Sequence, residues 1–311
     1  ENNDQSNGNI NDWDVSLITD MSKLFFCCWD PDDCNKKIHH FNQPINNWNV
    51  SNVTSMSFMF YDCKKFNQPI NDWNVSSVTD MSNMFHGCKE FKQSINNWNV
   101  SKVINMSFMF HGCNELNQPI NNWNVSNVTN MSSMFQNCYE FNQPINNWNV
   151  SKVEDMSSMF SSCNEFNQSI NNWNVSNVTN MSYIFSYCIE FNQPINNWNV
   201  SKVGDMSSMF LNCTNFNQPL NNWNVSNVTD MSGMFYKCKA FDKKHMEQFY
   251  VLSIEKKNMH ALIELRKNMS IIKIYYMVKD KEFIMKNINN YQKKEIQKFI
   301  KNTTKDICGS C

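Results

Sequence analysis

A 25-residue motif repeats along most of this chain and limits the folds that the chain can adopt. Tryptophan marks the period, because the eight tryptophans from Trp48 to Trp223 are spaced 25 residues apart. Trp13 belongs to the same series and is displaced by a ten-residue insertion at 29–38. A fixed period between 20 and 50 residues is typical of solenoids, in which each repeat stacks on its neighbours. The sequence therefore predicts a solenoid of nine repeats over residues 10–240.

The apolar residues within one repeat predict a short strand followed by a short helix. Trp148 and Val150 lie two residues apart, so that both side chains point to one side of a strand. The next four inward residues are spaced i, i+3, i+4 and i+7, which is one face of a helix. These residues are Met156, Met159, Phe160 and Cys163. We therefore expect a leucine-rich-repeat-like solenoid with a short parallel strand and a short helix in each repeat.

The segments outside the repeats have a different composition. Residues 1–9 are polar, which predicts a disordered lead-in, and the insertion at 29–38 is expected to form a surface loop. In residues 241–311 apolar residues punctuate charged segments, which predicts three or four helices. A repeat array needs a cap over the exposed end of its core. We therefore predict that 241–311 is a basic, helical C-terminal cap or domain.

The charge divides at the same boundary as the repeats. Residues 1–240 carry 12 Lys and Arg against 20 Asp and Glu, a net charge of −8. Residues 241–311 carry 15 against 8, a net charge of +7, but they contain one Arg and no nucleic-acid-binding motif. We expect no nucleic-acid partner and, because no apolar run is long enough, no membrane span. Glu1 is not a natural start, so a leader removed from the chain is an expectation.

Nine of the 13 cysteines, Cys28 and the eight from Cys63 to Cys238, occupy one position of the repeat. Stacked coils place equivalent Cα atoms about 4.8 Å apart, which is within disulfide range. Equivalent side chains would however point in parallel, and nine is an odd number. The pattern favours a buried strip of free thiols over a chain of disulfides.

Two neighbouring repeats contain zinc-ligand types, in His86-Gly-Cys88 and His111-Gly-Cys113. The same cysteine position recurs where histidine is absent, so that a metal is not needed to explain it. The sequence contains no Ser-His-Asp set and no Gly-rich phosphate loop that stands clear of the repeat. We therefore expect a non-catalytic protein without a metal or another cofactor.

Five glutamates share one position, two residues after the cysteine. They are Glu90, Glu115, Glu140, Glu165 and Glu190. A stacked row of like charges repels itself only weakly in water, by roughly 0.9 kcal/mol for each neighbouring pair, so that a solvated surface is one interpretation. The other interpretation is a docking strip for a basic partner or a divalent cation.

One known family shares the repeat motif. The stretch Asn117-Gln-Pro-Ile-Asn-Asn-Trp-Asn-Val-Ser-Asn-Val-Thr-Asn-Met-Ser-Ser-Met-Phe135 resembles the BspA-type leucine-rich repeat of bacterial surface proteins, whose relatives occur in mycoplasma lipoproteins and some large DNA viruses. The resemblance covers about 10–240. It implies a leucine-rich-repeat-like solenoid and a surface protein used in adhesion or protein binding. It carries over no catalytic residues.

Two hypotheses for function follow. The first is a structural or interaction module at the surface of a cell or a virion, whose contact face includes Asn147, Asn149 and Ser151. Its partner would be a protein or a second copy of the chain, with a glycan or a host surface as a further candidate contact. The second is an intracellular adaptor in the cytoplasm of the cell or host, whose solenoid holds a partner for the helical tail.

Overall fold

The structure is a computed structural model of the chain, and it describes residues 8–26 and 36–242 together with His245 and Phe249. Across this part the backbone winds into nine stacked coils, one for each sequence repeat. We number the coils 1 to 9 along the chain. Coil 1 begins at residue 10, and coils 2–9 occupy 25 residues each, so that coil 6 is 141–165. The repeat solenoid that the sequence predicts is therefore present.

Helices contribute little to the described part of the chain. They are the 3-10 helix η1 (Ile10–Asp12) and the four-residue helix α1 (Lys36–His39). Over the described residues, no helix has the length and hydrophobicity needed to cross a membrane. The predictions for 1–7, for most of the 29–38 loop and for the C-terminal helices lie outside the described residues.

Neighbouring coils are joined by isolated parallel bridges, one residue from each coil. Asp155, for example, pairs with Asn180 of the next coil. Trp148 and Val150 lie between turns, and the Trp148 N–H donates to the Ile145 carbonyl of its own coil at 3.1 Å. The described coils therefore show single-residue parallel bridges in place of the predicted short strand, so that this detail of the repeat is not confirmed.

The predicted helix at 156–163 is a run of turns. The Met156 N–H donates to the Asn180 carbonyl of the next coil at 3.1 Å, and every second residue repeats this pattern. Of the N–H groups in between, the Ser157 N–H donates to the Asp155 Oδ1 at 2.8 Å, and the others donate three residues back, as Cys163 does to Phe160 at 2.9 Å. An α-helix needs each N–H to reach the carbonyl four residues back. That pattern cannot form here, because alternate N–H groups bind the next coil.

Two residues in most coils adopt the left-handed conformation that a right-handed helix excludes. In coil 6 they are Ser158, with φ of 55°, and Ser162, with φ of 62°. Residues with a β-carbon visit this region rarely, and most often in turns. The equivalent residues in the other coils with a pair are Phe58 and Asp62, Asn83 and Gly87, Phe108 and Gly112, Ser133 and Asn137, Tyr183 and Tyr187, Ser208 and Asn212, and Gly233 and Lys237. Each such residue reverses the local twist, so that the chain advances as successive turns.

The core consists of ladders in which equivalent side chains of successive coils stack. Neighbouring tryptophan rings lie 6.4–6.5 Å apart between centroids, with interplanar angles of 1–3°. The rings of the ladder that contains Phe160 lie 5.5–5.9 Å apart. Trp148 is 3% exposed and Phe160 is fully buried. Each coil therefore buries the apolar face of its neighbour, which stabilises the stack through the hydrophobic effect.

The cysteines form one of these ladders. The eight from Cys63 to Cys238 are free thiols, and all but Cys238 are buried. The Cys138 thiol donates to the Phe110 carbonyl of the preceding coil, with an Sγ–O distance of 3.0 Å. Burial raises the pKa of Cys138, which keeps the thiol protonated. The packing interpretation is confirmed for these eight cysteines, and Cys28 lies outside the described residues.

Amide side chains interlock the coils on the exterior. The Asn142 Oδ1 accepts the Asn167 N–H at 3.1 Å and the Gln168 amide at 2.9 Å, both from the next coil. These contacts give the Phe-Asn-Gln stretch of the repeat its structural role. Lys92 replaces the asparagine in coil 4, and its own N–H still binds the Asn67 side chain at 3.1 Å. The asparagine side chains thus supply hydrogen bonds between neighbouring coils in a stretch away from the β-bridge.

The two ends of the described array differ in how their core residues are covered. At the C-terminal end, Phe249 is 2% exposed and lies T-shaped against Trp223 at 6.3 Å and Phe235 at 5.8 Å. At the N-terminal end, Trp13 is 47% and Leu24 is 48% exposed, and both line a depression of about 580 Å³. Phe249 therefore covers the aromatic edge of coil 9, and the rest of the predicted cap lies outside the described residues.

Candidate interaction surfaces

The predicted contact face of coil 6 lies on the exterior of the solenoid. The Asn149 Oδ1 accepts the Ser151 N–H at 3.1 Å, which forms an Asx turn and fixes the asparagine side chain. The Asn147 amide donates to the Asn121 carbonyl of the preceding coil at 2.8 Å. Asn147 and Asn149 are exposed and Ser151 is partly exposed. The structure thus brings the three predicted residues together and holds two asparagine side chains rigidly.

The Asn149 position repeats as a row along coils 2–9, and every member is exposed. The row consists of Asn49, Asn74, Asn99, Asn124, Asn149, Asn174, Asn199 and Asn224. Each Oδ1 accepts the N–H two residues later, at 3.1–3.3 Å. Within the described part of the chain, the Nδ2 groups of this row donate to no protein acceptor. The Asn149 row therefore offers eight exposed amide donors on side chains of fixed orientation.

The predicted glutamate row is divided by ion pairs inside the array. Glu90 pairs with Lys65 of the preceding coil, and Glu115 pairs with Lys92 at 2.7 Å. The hydrogen bond to Glu115 raises the pKa of Lys92. All four side chains are exposed, and such surface pairs contribute little to stability. Two of the five glutamates are thus engaged by lysines of the chain itself.

The other three glutamates of the row belong to coils 5–7 and are exposed. The Glu190 carboxylate accepts the Asn215 amide at 3.0 Å. Over the residues that the structure describes, the side chains of Glu140 and Glu165 form no hydrogen bond and no salt bridge, although the charge of Glu140 contributes to the raised pKa of Lys92. The docking strip for a basic partner or a cation stays a prediction for these three residues.

His86 and His111 stack in parallel in coils 3 and 4, with ring centroids 4.3 Å apart, and Tyr61 stacks on His86 at 4.3 Å. The Nδ1 atoms of both histidines are buried without a hydrogen-bond partner. Burial and then the neighbouring His111 lower the pKa of His86 to about 4, and burial lowers that of His111. Parallel rings do not direct their nitrogens at one point, as tetrahedral zinc requires. Among the described residues, no three metal-ligating side chains form a group.

Exposed aromatic residues form a feature that the sequence interpretation missed. In coil 7, Tyr183 is 43% and Tyr187 is 46% exposed, and Ile189 beside them is 37% exposed. The φ angles of Tyr183 and Tyr187, 58° and 59°, lie in the left-handed region, where a bulky side chain is strained. Coil 6 places Ser158 and Ser162 at the same two positions. The available signal was therefore an aromatic residue where a neighbouring repeat has a small polar one.

Comparison with solved structures gives distant similarities. Thirteen solved chains match this one significantly. One of them belongs to a structure titled "Crystal structure of TLR13-ssRNA13 complex", with 11% sequence identity and a TM-score of 0.29. The match covers 74% of this chain and 32% of that chain, so that this chain spans about a third of its length. No curated protein matches the chain significantly.

The sequence family is shown by a model that matches the chain three times, at residues 1–94, 68–169 and 140–249. These overlapping matches cover the nine coils. The description of the family refers to mycoplasma proteins and does not mention BspA-type repeats, so that the BspA-type resemblance stays a prediction. The chain belongs to the family described as "Mycoplasma protein of unknown function, DUF285".

Proposed function

We propose that this chain is a non-catalytic repeat module that binds a protein partner, or a second copy of itself, at the surface of a cell or a virion. The observation that carries the proposal is the Asn149 row. Its eight asparagines are exposed, their Oδ1 atoms are bound to the backbone, and their amide donors have no acceptor in the described part of the chain. A partner that supplies carbonyl or carboxylate acceptors would satisfy these donors.

The rigidity of the row favours binding. A flexible side chain loses roughly 0.5–1.5 kcal/mol of conformational free energy when an interface immobilises it. The Asx turn of Asn149 with Ser151 has already fixed the side chain in the unbound protein. Eight coils at about 4.8 Å extend the row over roughly 34 Å, which is long enough for a partner surface rather than a small ligand. A glycan or another component of a host surface is the second chemistry that such a row of amides can bind.

The chemistry of the array supports a binding role over catalysis. The most nucleophilic side chains of the described coils are the cysteines, of which all but Cys238 are buried, and burial raises their pKa values, to about 12 for Cys63. Reactive cysteines need a lowered pKa and access to solvent. His86 and His111 are stacked on each other, with lowered pKa values and no carboxylate or thiol on their Nδ1 atoms.

The proposed test replaces Asn124, Asn149 and Asn174 together with aspartate. Aspartate keeps an oxygen that accepts the N–H two residues later but has no amide donor, so the coils are expected to fold and partner capture to fall. The measurement is a pull-down with the intact chain, set beside the array alone. A second triple variant with serine keeps a turn-forming acceptor without adding charge. Equal capture by wild type and both variants, all with unchanged melting, would exclude the row as the contact.

The alternative function is a cytoplasmic adaptor, and the cysteines outside the described residues discriminate between the two locations. The seven buried thiols from Cys63 to Cys213 resist oxidation in any compartment, because they are shielded and protonated. The informative cysteines are Cys27, Cys28, Cys34, Cys308 and Cys311. Disulfides among these five in native material would support the surface location, and five free thiols would support the cytoplasmic adaptor.

A further inference from the structure

Coils 5–7 carry a patch of exposed apolar and acidic side chains, which we call the Tyr–Glu patch. Its members are Tyr139, Glu140, Glu165, Tyr187, Ile189 and Glu190. Backbone hydrogen bonds make the patch continuous across the coils: the Glu165 N–H donates to the Tyr139 carbonyl at 3.3 Å, and the Glu190 N–H donates to Asn164 at 3.1 Å. The apolar and acidic side chains therefore share one area of the exterior.

The backbone at Tyr187 indicates that its aromatic ring has a role. Tyr187 has φ of 59°, a conformation in which a bulky side chain is unfavourable, and its ring is 46% exposed. Neighbouring coils place Ser162 and Asn212 at this position. Residues with a strained backbone that do not belong to the core are found most often at functional sites. Because coils 2–9 all have a left-handed residue at this position, the departure in coil 7 is the exposed aromatic ring in place of a small polar side chain.

Charge and chain path point to one segment of the chain as the occupant that fits the patch. Residues 250–311 carry 13 Lys and Arg against 6 Asp and Glu, a net charge of +7, with apolar residues interleaved. Phe249 packs against Trp223 in coil 9, and coil 7 lies two coils away, about 10 Å at the usual spacing of hydrogen-bonded chains. Along the axis of the stack, the basic segment therefore starts two coils from the nearest members of the patch, Tyr187 and Ile189. The three glutamates of the patch offer it opposite charge.

We propose that the basic segment 250–311 docks on the Tyr–Glu patch of the same chain. Its apolar side chains would cover Tyr139, Tyr187 and Ile189, and its lysines would pair with the glutamates or lie over the tyrosine rings. This inference goes beyond the proposed function, because the Tyr–Glu patch and the Asn149 row are different surfaces.

Limited tryptic digestion of the full chain tests the proposal, because the segment contains 13 Lys and Arg sites. The patch variant is Tyr139→Asn, Tyr187→Ser and Ile189→Asn, which uses the residues that coil 6 carries at these positions. The digestion is carried out at low salt, and mass spectrometry follows cleavage within 250–311. In the patch variant this cleavage is expected to be about tenfold faster than in wild type, which is the effect of losing one strong anchor of an interface. Wild type at high salt is expected to lose part of its protection.

Phe108→Ser is the matched control. Phe108 is also aromatic, has φ of 56° and is 37% exposed, but it lies in coil 4. Coil 5 has Ser133 at this position, so that the control leaves the array folded and the segment protected. The triple variant Glu140→Gln, Glu165→Gln and Glu190→Gln is expected to remove the salt dependence of cleavage.

Two results would overturn the proposal. The first is equal cleavage of 250–311 in wild type, the patch variant and the control, with equal melting of the array in all three. The second is protection that increases with protein concentration, because the segment would then dock on another copy. Partner capture through the Asn149 row is measured separately, so that failure of the docking proposal leaves the proposed function standing.

Discussion

The indole Nε1 of Trp148 donates a hydrogen bond of 3.2 Å to the carbonyl oxygen of Ile120 in the preceding coil. The same bond recurs along the ladder, for example from Trp223 to Ile195 at 3.0 Å. A buried tryptophan needs a partner for its N–H, and a carbonyl at this point satisfies both groups. Each tryptophan therefore fills the core and fixes the register between two coils.

Trp148→Ala is expected to lower the free energy of unfolding by about 3–5 kcal/mol, because it removes a large buried ring and leaves the Ile120 carbonyl without its donor. Urea unfolding followed by circular dichroism measures the loss. Trp13→Ala, at a position that is 47% exposed in coil 1, is expected to cost clearly less. A loss below about 0.5 kcal/mol for Trp148→Ala, the range of surface substitutions, would mean that the ladder is not the core.

The period and the inward residues of each coil are predictable from the sequence, whereas the local backbone is not. Met156, Met159, Phe160 and Cys163 are all buried, as the helical interpretation requires. Successive three-residue turns place the same four residues inward, so that the apolar spacing cannot separate a helix from a run of turns. The deciding hydrogen bonds join residues 24 or 25 apart, as between Met156 and Asn180, and no local pattern encodes them.

The candidate surfaces show the same division. Asn147, Asn149 and Ser151 lie together on the exterior, and each occupies a fixed position of the 25-residue repeat. The period alone therefore predicts that they belong to one face. The pairing of Glu115 with Lys92 was not predictable in this way, because Lys92 departs from the repeat. Surfaces formed by residues that recur in every repeat could thus be predicted from the sequence. Surfaces formed by residues that differ from the repeat motif became evident only in the structure.

Replacement by alanine is expected to change the free energy of unfolding in opposite directions at two glycines. Gly112 has φ of 72° and room for a β-carbon, whose nearest neighbour would be 3.7 Å away, so that Gly112→Ala should destabilise by about 1 kcal/mol through the backbone alone. Gly204 lies outside the left-handed region, and a β-carbon added there would lie 3.8 Å from the Thr179 carbonyl oxygen, an ordinary contact. Gly204→Ala should stabilise by about 0.4–1 kcal/mol. Equal shifts of Tm in the two variants would contradict the left-handed turns.

The stacked histidines are expected to make stability depend on pH. The folded pKa of His86 is about 4, whereas an unfolded histidine titrates near 6.5. Between these values the unfolded chain binds more protons, so that stability is complete above about pH 6.5 and falls as the pH drops toward 4. His111, whose pKa is also lowered, adds to the effect. Tm should be lower at about pH 5 than at about pH 7.5 by on the order of 2–4 °C.

Glutamine provides the control for the histidine prediction, because coil 5 has Gln136 at the position of His111. The other titratable groups near the stack are Tyr61, which contacts His86, and Asp62, whose N–H binds the His86 carbonyl. The double variant His86→Gln and His111→Gln is expected to flatten the change in Tm between pH 7.5 and 5. An unchanged slope would assign the acid sensitivity to the carboxylates instead.

Phe249 is expected to affect the stability of the C-terminal coil more than that of the whole array. Its ring lies against Trp223 and Phe235 and is 2% exposed, so that Phe249→Ala should uncover the aromatic edge of coil 9 at a local cost of about 3–5 kcal/mol. In a solenoid each coil depends mainly on its nearest neighbours, so the loss should stay near that end. Hydrogen exchange is expected to accelerate at amides of coil 9, such as that of Thr229, which binds the Gly204 carbonyl at 2.7 Å, and to stay slow in coils 4–6. Uniform acceleration along the array would show that it unfolds as one cooperative unit, and unchanged exchange in coil 9 would show that other residues cover this edge.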